Sequence, residues 1–382
     1  MAAQDIRVLV VDDSAVVRSI IADSIADTSG MTVVGKAGDG RQALEILDSV
    51  QPDVITLDIQ MPNMDGLVTL DAILARRPTP VIMVSSLTRL GAAITLDALD
   101  RGALDYLAKP DYGAKTKTAL KEELPRKIRI AAGTDVRRII EIRRERNKRR
   151  EESGTGPICA KPGTDQRLVA GRSGKLHPSP CPVLTGKCIA LGISTGGPPA
   201  LSSLFEGLQP PMPPIVVVQH MPPNFTKPLA WRLDSLSRLS IKEAVHGDLL
   251  KPNHVLIAPG GKHLQVRRAG GSAKAAVRDG APVSGHKPSA DVLMRSVAEA
   301  FGDACLGVIM TGMGRDGASG CGAIRRKGGY VLGQDEATSD VYGMNKVAHV
   351  EGNVDRQFGL NEAATVIARE VQRRWPPVSH AR

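Results

Sequence analysis

Short uninterrupted apolar runs alternate with stretches of helical spacing along most of this chain, and no other feature limits its fold so tightly. In the first third the runs fall at 6–11, 31–34, 54–57, 81–84 and 105–107, with helical stretches at 15–26, 40–50, 66–76 and 91–101. Runs without polar alternation suit strands buried on both faces of a parallel sheet. Five strand–helix units in succession predict a doubly wound α/β layer. Aromatics are 3% of the residues, so Val, Ile, Leu, Ala and Met have to fill the core.

The alternation fades near Pro125 and resumes near Gly186. Between Arg126 and Pro182 there are 15 Lys/Arg against 6 Asp/Glu, nearly all of the formal charge of +10. A basic amphipathic helix is expected at 136–150, followed by a Gly, Ser, Pro and Lys-rich linker. This predicts an N-terminal domain over 1–124, a basic flexible linker over 125–182 and a second α/β domain over 183–376, with a frayed tail beyond. In the second domain strands are expected at 189–193, 215–219, 254–258, 264–267, 275–278, 306–310 and 330–332. Helices are expected at 198–208, 226–237, 289–301, 318–327 and 362–375. The consecutive strands from 241 to 278 suggest that part of this sheet is antiparallel.

No run approaches the roughly 20 apolar residues that span a bilayer, and no signal segment precedes the first strand. The cysteines at 159, 181, 188, 305 and 321 form no Cys-x-x-Cys pair. Five scattered cysteines argue for a reducing compartment, so a cytoplasmic protein without stable membrane insertion is expected. Because the positive charge is confined to one segment, it does not describe the folded domains, and a solvated spacer is preferred there to a nucleic-acid site.

In the N-terminal domain Asp12 and Asp13 follow the first apolar run, Asp58 the third, Ser85 closes the fourth and Lys109 follows the fifth. In a parallel sheet these ends share one edge. Three converging carboxylates repel one another and call for a hard cation such as Mg²⁺. A metal-bound carboxylate there can accept a phosphoryl group, with Lys109 neutralising its oxygens and Ser85 bonding one of them. Taken singly, Asp12-Asp13 reads as a helix cap. Together, Val10-Val11-Asp12-Asp13-Ser14, Leu57 through Gly66, Val84-Ser85-Ser86 and Lys109-Pro110 resemble a two-component receiver domain. The resemblance implies a flavodoxin-like fold, phosphorylation of Asp58 by a histidine kinase, Mg²⁺ on Asp12, Asp13 and Asp58, and a cis bond before Pro110.

In the second domain Gly192-Ile193-Ser194-Thr195-Gly196-Gly197 follows an apolar strand and precedes a helix. Glycines allow the tight turn and expose Ser194 near helix N–H groups, a geometry that suits a nucleophile or a bound phosphate. The glycine spacing departs from Gly-x-Gly-x-x-Gly, which demotes a dinucleotide site. A serine needs a base and the base an orienting carboxylate. His220 ends the 215–219 strand on the same edge, His286 is the next candidate, and Asp316 follows the 306–310 strand. Backbone N–H groups at Thr195 and Met313 would form an oxyanion hole. The order Ser, His, Asp differs from that of the α/β-hydrolases.

These segments, with Val218-Gln219-His220-Met221-Pro222, His286-Lys287-Pro288-Ser289 and Met310 through Gly317, resemble the catalytic domain of the chemotaxis protein-glutamate methylesterase (CheB) family. That resemblance implies a Rossmann-like domain with a mostly parallel sheet. It implies hydrolysis of glutamate methyl esters on methylated chemoreceptors, deamidation of receptor glutamines, and no cofactor for the esterase reaction. It also implies phosphorylation by the chemotaxis histidine kinase CheA and a receiver that covers the active site until Asp58 is phosphorylated. Ile193, Asp340 and Asn345 depart from the family pattern, as does the long basic linker. The rival reading is a receiver whose basic linker binds nucleic acid or membrane and whose Gly-rich loop holds a nucleotide.

Overall fold

A computed structural model describes residues 5–85, 88–109, 114–152, 182–269 and 271–376. The bond before Pro110, the segment 153–181 and the tail 377–382 lie outside the described residues.

The N-terminal domain runs β1 (Ile6–Val11), α1 (Ala15–Ala26), β2 (Met31–Ala37), α2 (Gly40–Val50), β3 (Val54–Asp58), α3 (Gly66–Arg76), β4 (Val81–Ser85), α4 (Arg89–Arg101), β5 (Asp105–Ala108) and α5 (Ala114–Ala132). Its strands form a parallel sheet in the order β2-β1-β3-β4-β5. Every residue of β3 and β4 is buried, as continuous apolar runs require when helices cover both faces. Ser14, Asp39, Asp65 and Thr88 each accept a backbone N–H three residues on and start the four helices α1 to α4, satisfying donors the helix cannot. The order reverses between β1 and β3, where open α/β sheets form their crevice.

The segment from residue 125, expected as a linker with one basic helix at 136–150, is helical for much of its described length, and that helix is present. Helix α5 continues to Ala132, and α6 spans Val136–Glu152. Leu124, Ile128 and Ala131 are buried on one stripe of α5, and Val136 and Ile139 on α6. Pro125 and the dense Lys/Arg dilute that stripe in the sequence, but these five apolar side chains face the core. Arg143 of α6 is buried. It donates to the carbonyls of Leu99 and Ala103 in the first domain and, at 2.8 Å, to Asp340 Oδ2 in the second. Arg138 donates to the carbonyls of Glu336 and Ser339.

The second domain runs β6 (Cys188–Ile193), α7 (Gly197–Gly207), β7 (Ile215–Gln219), α8 (Thr226–Leu236), β8 (Ser240–Glu243), β9 (His254–Ile257), β10 (His263–Ala269), β11 (Ser272–Arg278), α9 (Ala290–Phe301), β12 (Cys305–Ile309), α10 (Ala318–Arg326), β13 (Tyr330–Gln334), α11 (Met344–Val350), β14 (Arg356–Phe358) and α12 (Ala363–Arg374). Seven strands form one parallel sheet, β14-β13-β12-β6-β7-β9-β8. The antiparallel element suggested by the sequence is a separate hairpin, β10-β11, while β8 and β9 join the main sheet in parallel. β6 lies between β12 and β7, so the order reverses beside Ser194.

Apolar packing runs from one domain into the other. α4 packs on α7 and α8, and the Tyr106 ring stacks on Phe225 with centroids 4.8 Å apart. Arg232 of α8 bonds Asp97 and Asp100 of α4. Removing one partner of a buried ion pair costs about 3–5 kcal/mol, so Arg143→Ala is expected to loosen α6 from both domains. Hydrogen exchange checks this: amides of α6 and of residues 99–103 should exchange faster, with the seven-stranded sheet as protected as in the wild type. Unchanged exchange in α6 would show that Arg143 does not hold it.

Candidate active site

Ser194 sits in the turn between β6 and α7. Its amide donates to the Thr311 carbonyl at 3.0 Å, and its own carbonyl accepts from Gly197 N at 2.8 Å and Gln219 Nε2 at 3.0 Å. Gly196 has φ +75°, a region that favours glycine, and a Cβ there would lie 2.6 Å from Asp340. A Cβ on Gly312 would lie 2.7 Å from Ser194 Cβ. The turn is therefore packed too closely for side chains at either position.

His220 follows β7, and its amide donates to the Ile193 carbonyl at 3.2 Å. Its Nε2 is 2.8 Å from Asp316 Oδ2. Asp316, just beyond β12, has no exposure to solvent. Its carboxylate accepts from Ser289 Oγ at 2.7 Å, Ala290 N at 2.6 Å and Asp291 N at 3.2 Å. These donors form the N-terminal start of α9, where the helix dipole favours an anion. Burial works to raise the Asp316 pKa, but the His220, Ser289 and Ala290 hydrogen bonds outweigh it and hold the carboxyl below its ordinary value. The ionised carboxylate fixes a proton on Nε2 and leaves Nδ1 as the basic nitrogen. Nδ1 is buried without a hydrogen-bond partner, so the serine–histidine bond is not made in this state. Such bonds are often long before substrate arrives.

All three residues read from the sequence thus come to one sheet edge. The Thr195 and Met313 amides donate to no backbone acceptor among the described residues, and both residues line a cavity of about 500 Å³ with Ser194 and His220. His286 lines it too, but no carboxylate orients it; its ring stacks on that of His220.

The other wall of the cavity belongs to the N-terminal domain: Asp105, Tyr106, Glu123, Arg126 and Lys127. Thr195 Oγ1 donates to Asp105 Oδ2 at 2.7 Å, and Lys127 Nζ lies 2.8 Å from Asp105 Oδ1. Asp105, Gln219, Ser289 and Arg143 join the site without being among the residues expected to form it. Only Ser289 carried a local signal, as a serine ahead of an apolar helical run.

At the N-terminal site the carboxylate oxygens of Asp12, Asp13 and Asp58 lie within 4.8 Å of one another. Lys109 Nζ is 2.7 Å from Asp58 Oδ2 and 3.2 Å from Asp12 Oδ2. Asp12 and Asp58 are buried, and Asp12 Oδ2 accepts no hydrogen bond. Burial pushes Asp58 up to about 6 against the Lys109 hydrogen bond. An all-oxygen donor set in which Asp12 and Asp58 are buried beside Asp13 fits a hard divalent ion. The Ser85 hydroxyl donates to the Gly91 carbonyl and accepts from Thr95 Oγ1 at 2.8 Å.

Comparison with known proteins agrees with this division. Residues 8–121 match the response regulator receiver domain, and residues 189–367 match the CheB methylesterase family. A Pseudomonas aeruginosa protein-glutamate methylesterase/protein-glutamine glutaminase is 41% identical over 97% of this chain and 98% of its own. A Caulobacter vibrioides relative with the same designation is 44% identical over 93% and 95%. The crystal structure of the Thermotoga maritima CheB methylesterase catalytic domain is 38% identical over 49% of this chain and all of that one, with a TM-score of 0.48.

Misplacing a reacting group by about 1 Å can cost a hundredfold in rate. Gly312→Ala is therefore expected to slow covalent labelling of Ser194 by a serine-directed phosphonate at least about tenfold while the protein stays folded by circular dichroism. Labelling at the wild-type rate would show that the turn tolerates the added methyl.

Proposed function

The chain belongs to the CheB methylesterase family, and on that premise we propose that it is a phosphorylation-controlled serine hydrolase that removes methyl groups from glutamate side chains of chemoreceptors. It also deamidates receptor glutamines, in the service of adaptation in chemotaxis. The observation that carries the reading is the buried His220–Asp316 pair at 2.8 Å, on the sheet edge that also presents Ser194.

Ser194 Oγ attacks the ester carbonyl carbon while its proton passes to His220 Nδ1. Asp316, ionised and held by the α9 N-terminus, stabilises the imidazolium through Nε2. The Thr195 and Met313 amides donate to the carbonyl oxygen as it becomes an oxyanion. Collapse of the tetrahedral intermediate breaks the C–O bond, and His220 returns the proton to the departing methoxide, giving methanol. Water, deprotonated by His220, then cleaves the acyl-serine to glutamate and free Ser194. With a glutamine substrate the leaving group is ammonia, and the steps are otherwise the same.

In the receiver, Asp12, Asp13 and Asp58 would hold Mg²⁺, which supplies charge neutralisation during phosphoryl transfer. Asp58 accepts the phosphoryl group, with the chemotaxis histidine kinase CheA as donor. Lys109, now paired with Asp58, is placed to bind the phosphoryl oxygens, and Ser85 would have to leave Thr95 to do so. Because receiver residues line the serine cavity, phosphorylation acts by opening it. Arg138 and Arg143 of the basic segment are engaged by the catalytic domain, which favours interdomain docking over nucleic-acid binding as their role. No helix among the described residues is long and apolar enough to cross a membrane, and we place the protein in the cytoplasm.

Methanol release from methylated receptor tests the assignment. Ser194→Ala is expected to lose about a thousandfold or more of the rate, and Asp58→Asn to keep basal release but lose stimulation by a small phosphodonor. Undiminished release by Ser194→Ala would overturn the triad, and equal stimulation of Asp58→Asn would overturn control through Asp58.

A further inference from the structure

The base nitrogen of His220 has no partner, so a single hydrogen bond, from Nε2 to Asp316, fixes the ring. One bond leaves the imidazole free to rock about it. The ring that prevents this comes from the loop ahead of α9. His286 lies parallel to His220, with ring centroids 3.9 Å apart and an interplanar angle of 12°. Its backbone is pinned by a two-way pairing with Val283, both N–H···O distances being 3.0 Å.

The protonation of His286 follows from its neighbours. Nδ1 is 2.8 Å from the Ser284 carbonyl, and a carbonyl only accepts, so the proton resides on Nδ1. Nε2 then presents a lone pair, which faces the Arg126 guanidinium at 3.5 Å. Burial, followed by the nearby His220 and Arg126, lowers the His286 pKa to about 4. The ring is therefore uncharged at neutral pH and cannot compete with His220 for the serine proton.

We infer that His286 is a positioning residue for the base: its stacked ring holds His220 in the plane where Nε2 meets Asp316. The same π face lies against the imidazolium that forms in the transition state, and an aromatic face attracts a cation. Arg126 ties this arrangement to the receiver side of the cavity, since it reaches the outer nitrogen of the stacked pair only while the domains are docked. The inference rests on the Ser194–His220–Asp316 reading and adds a fourth side chain to it.

The test compares His286→Ala, His286→Phe and Ser194→Ala in the full-length protein, activated by a small phosphodonor, in the methanol-release assay. Loss of the stack is expected to lower kcat about 10- to 100-fold with KM changed less than about twofold, as for a misoriented catalytic group. Phenylalanine, a flat ring that cannot titrate, should bring kcat back to within about fivefold of wild type. A downfield proton resonance from the His220 Nε2–Asp316 hydrogen bond should persist in His286→Phe and broaden or vanish in His286→Ala. Wild-type kcat in His286→Ala, or a His286→Phe protein as slow as His286→Ala with that resonance intact, would overturn the inference. If Ser194→Ala is inactive in the same assay, such a result removes the stack alone; if Ser194→Ala is active, the triad itself falls.

Discussion

A carboxylate with no exposure to solvent has to be met by donors, and the catalytic edge of the larger sheet is arranged around one. Asp316 is surrounded by the Ser289 hydroxyl, two amides at the start of α9 and the His220 imidazole. Leaving such a charge buried and unpaired would be very costly, so each donor position is constrained. α9 has to begin where it does, the loop carrying His286 has to close just before it, and β7 has to end where His220 Nε2 reaches Asp316. Asp291, next in sequence, accepts from Gly317 N and Gly320 N and ties α9 to the start of α10. A rigid base results, built from three chain segments that meet only because parallel strands end together.

The nucleophile turn is gripped by a carboxylate from each domain. Asp105 of the receiver takes the Thr195 hydroxyl and is paired with Lys127. Asp340 of the catalytic domain packs against Gly196 and is paired with Arg143. Both counter-cations come from α5 and α6, the helices that join the domains. The chain between the domains therefore supplies the charges that let two acids approach the Ser194 turn.

Much of this was legible because strand ends are legible. Ser194, His220 and Asp316 each follow an apolar run, as do Asp12, Asp58 and Lys109, and one rule about parallel sheets brings each set together. What the sequence concealed depends on distance along the chain or on rotamer choice. The carboxylate of Asp105 closes on Thr195 across the domain boundary, with no local pattern to announce it. Asp340 reads as an unexplained departure until Arg143, far away in sequence, is found beside it. Helix α6 was legible as a helix, but the packing of Arg138 and Arg143 against the second domain was not. The direction of the Ser85 hydroxyl depends on Thr95 on the next helix.

The stacking of Tyr106 on Phe225, and the apolar packing of α4 on α7 and α8 around it, gives domain opening a thermal character. Separating the domains brings water onto hydrocarbon and aromatic faces, a process with a positive heat-capacity change. The balance between shut and open forms is thus curved in temperature rather than linear. Warming and cooling therefore alter how firmly the two domains hold together, through this packing alone.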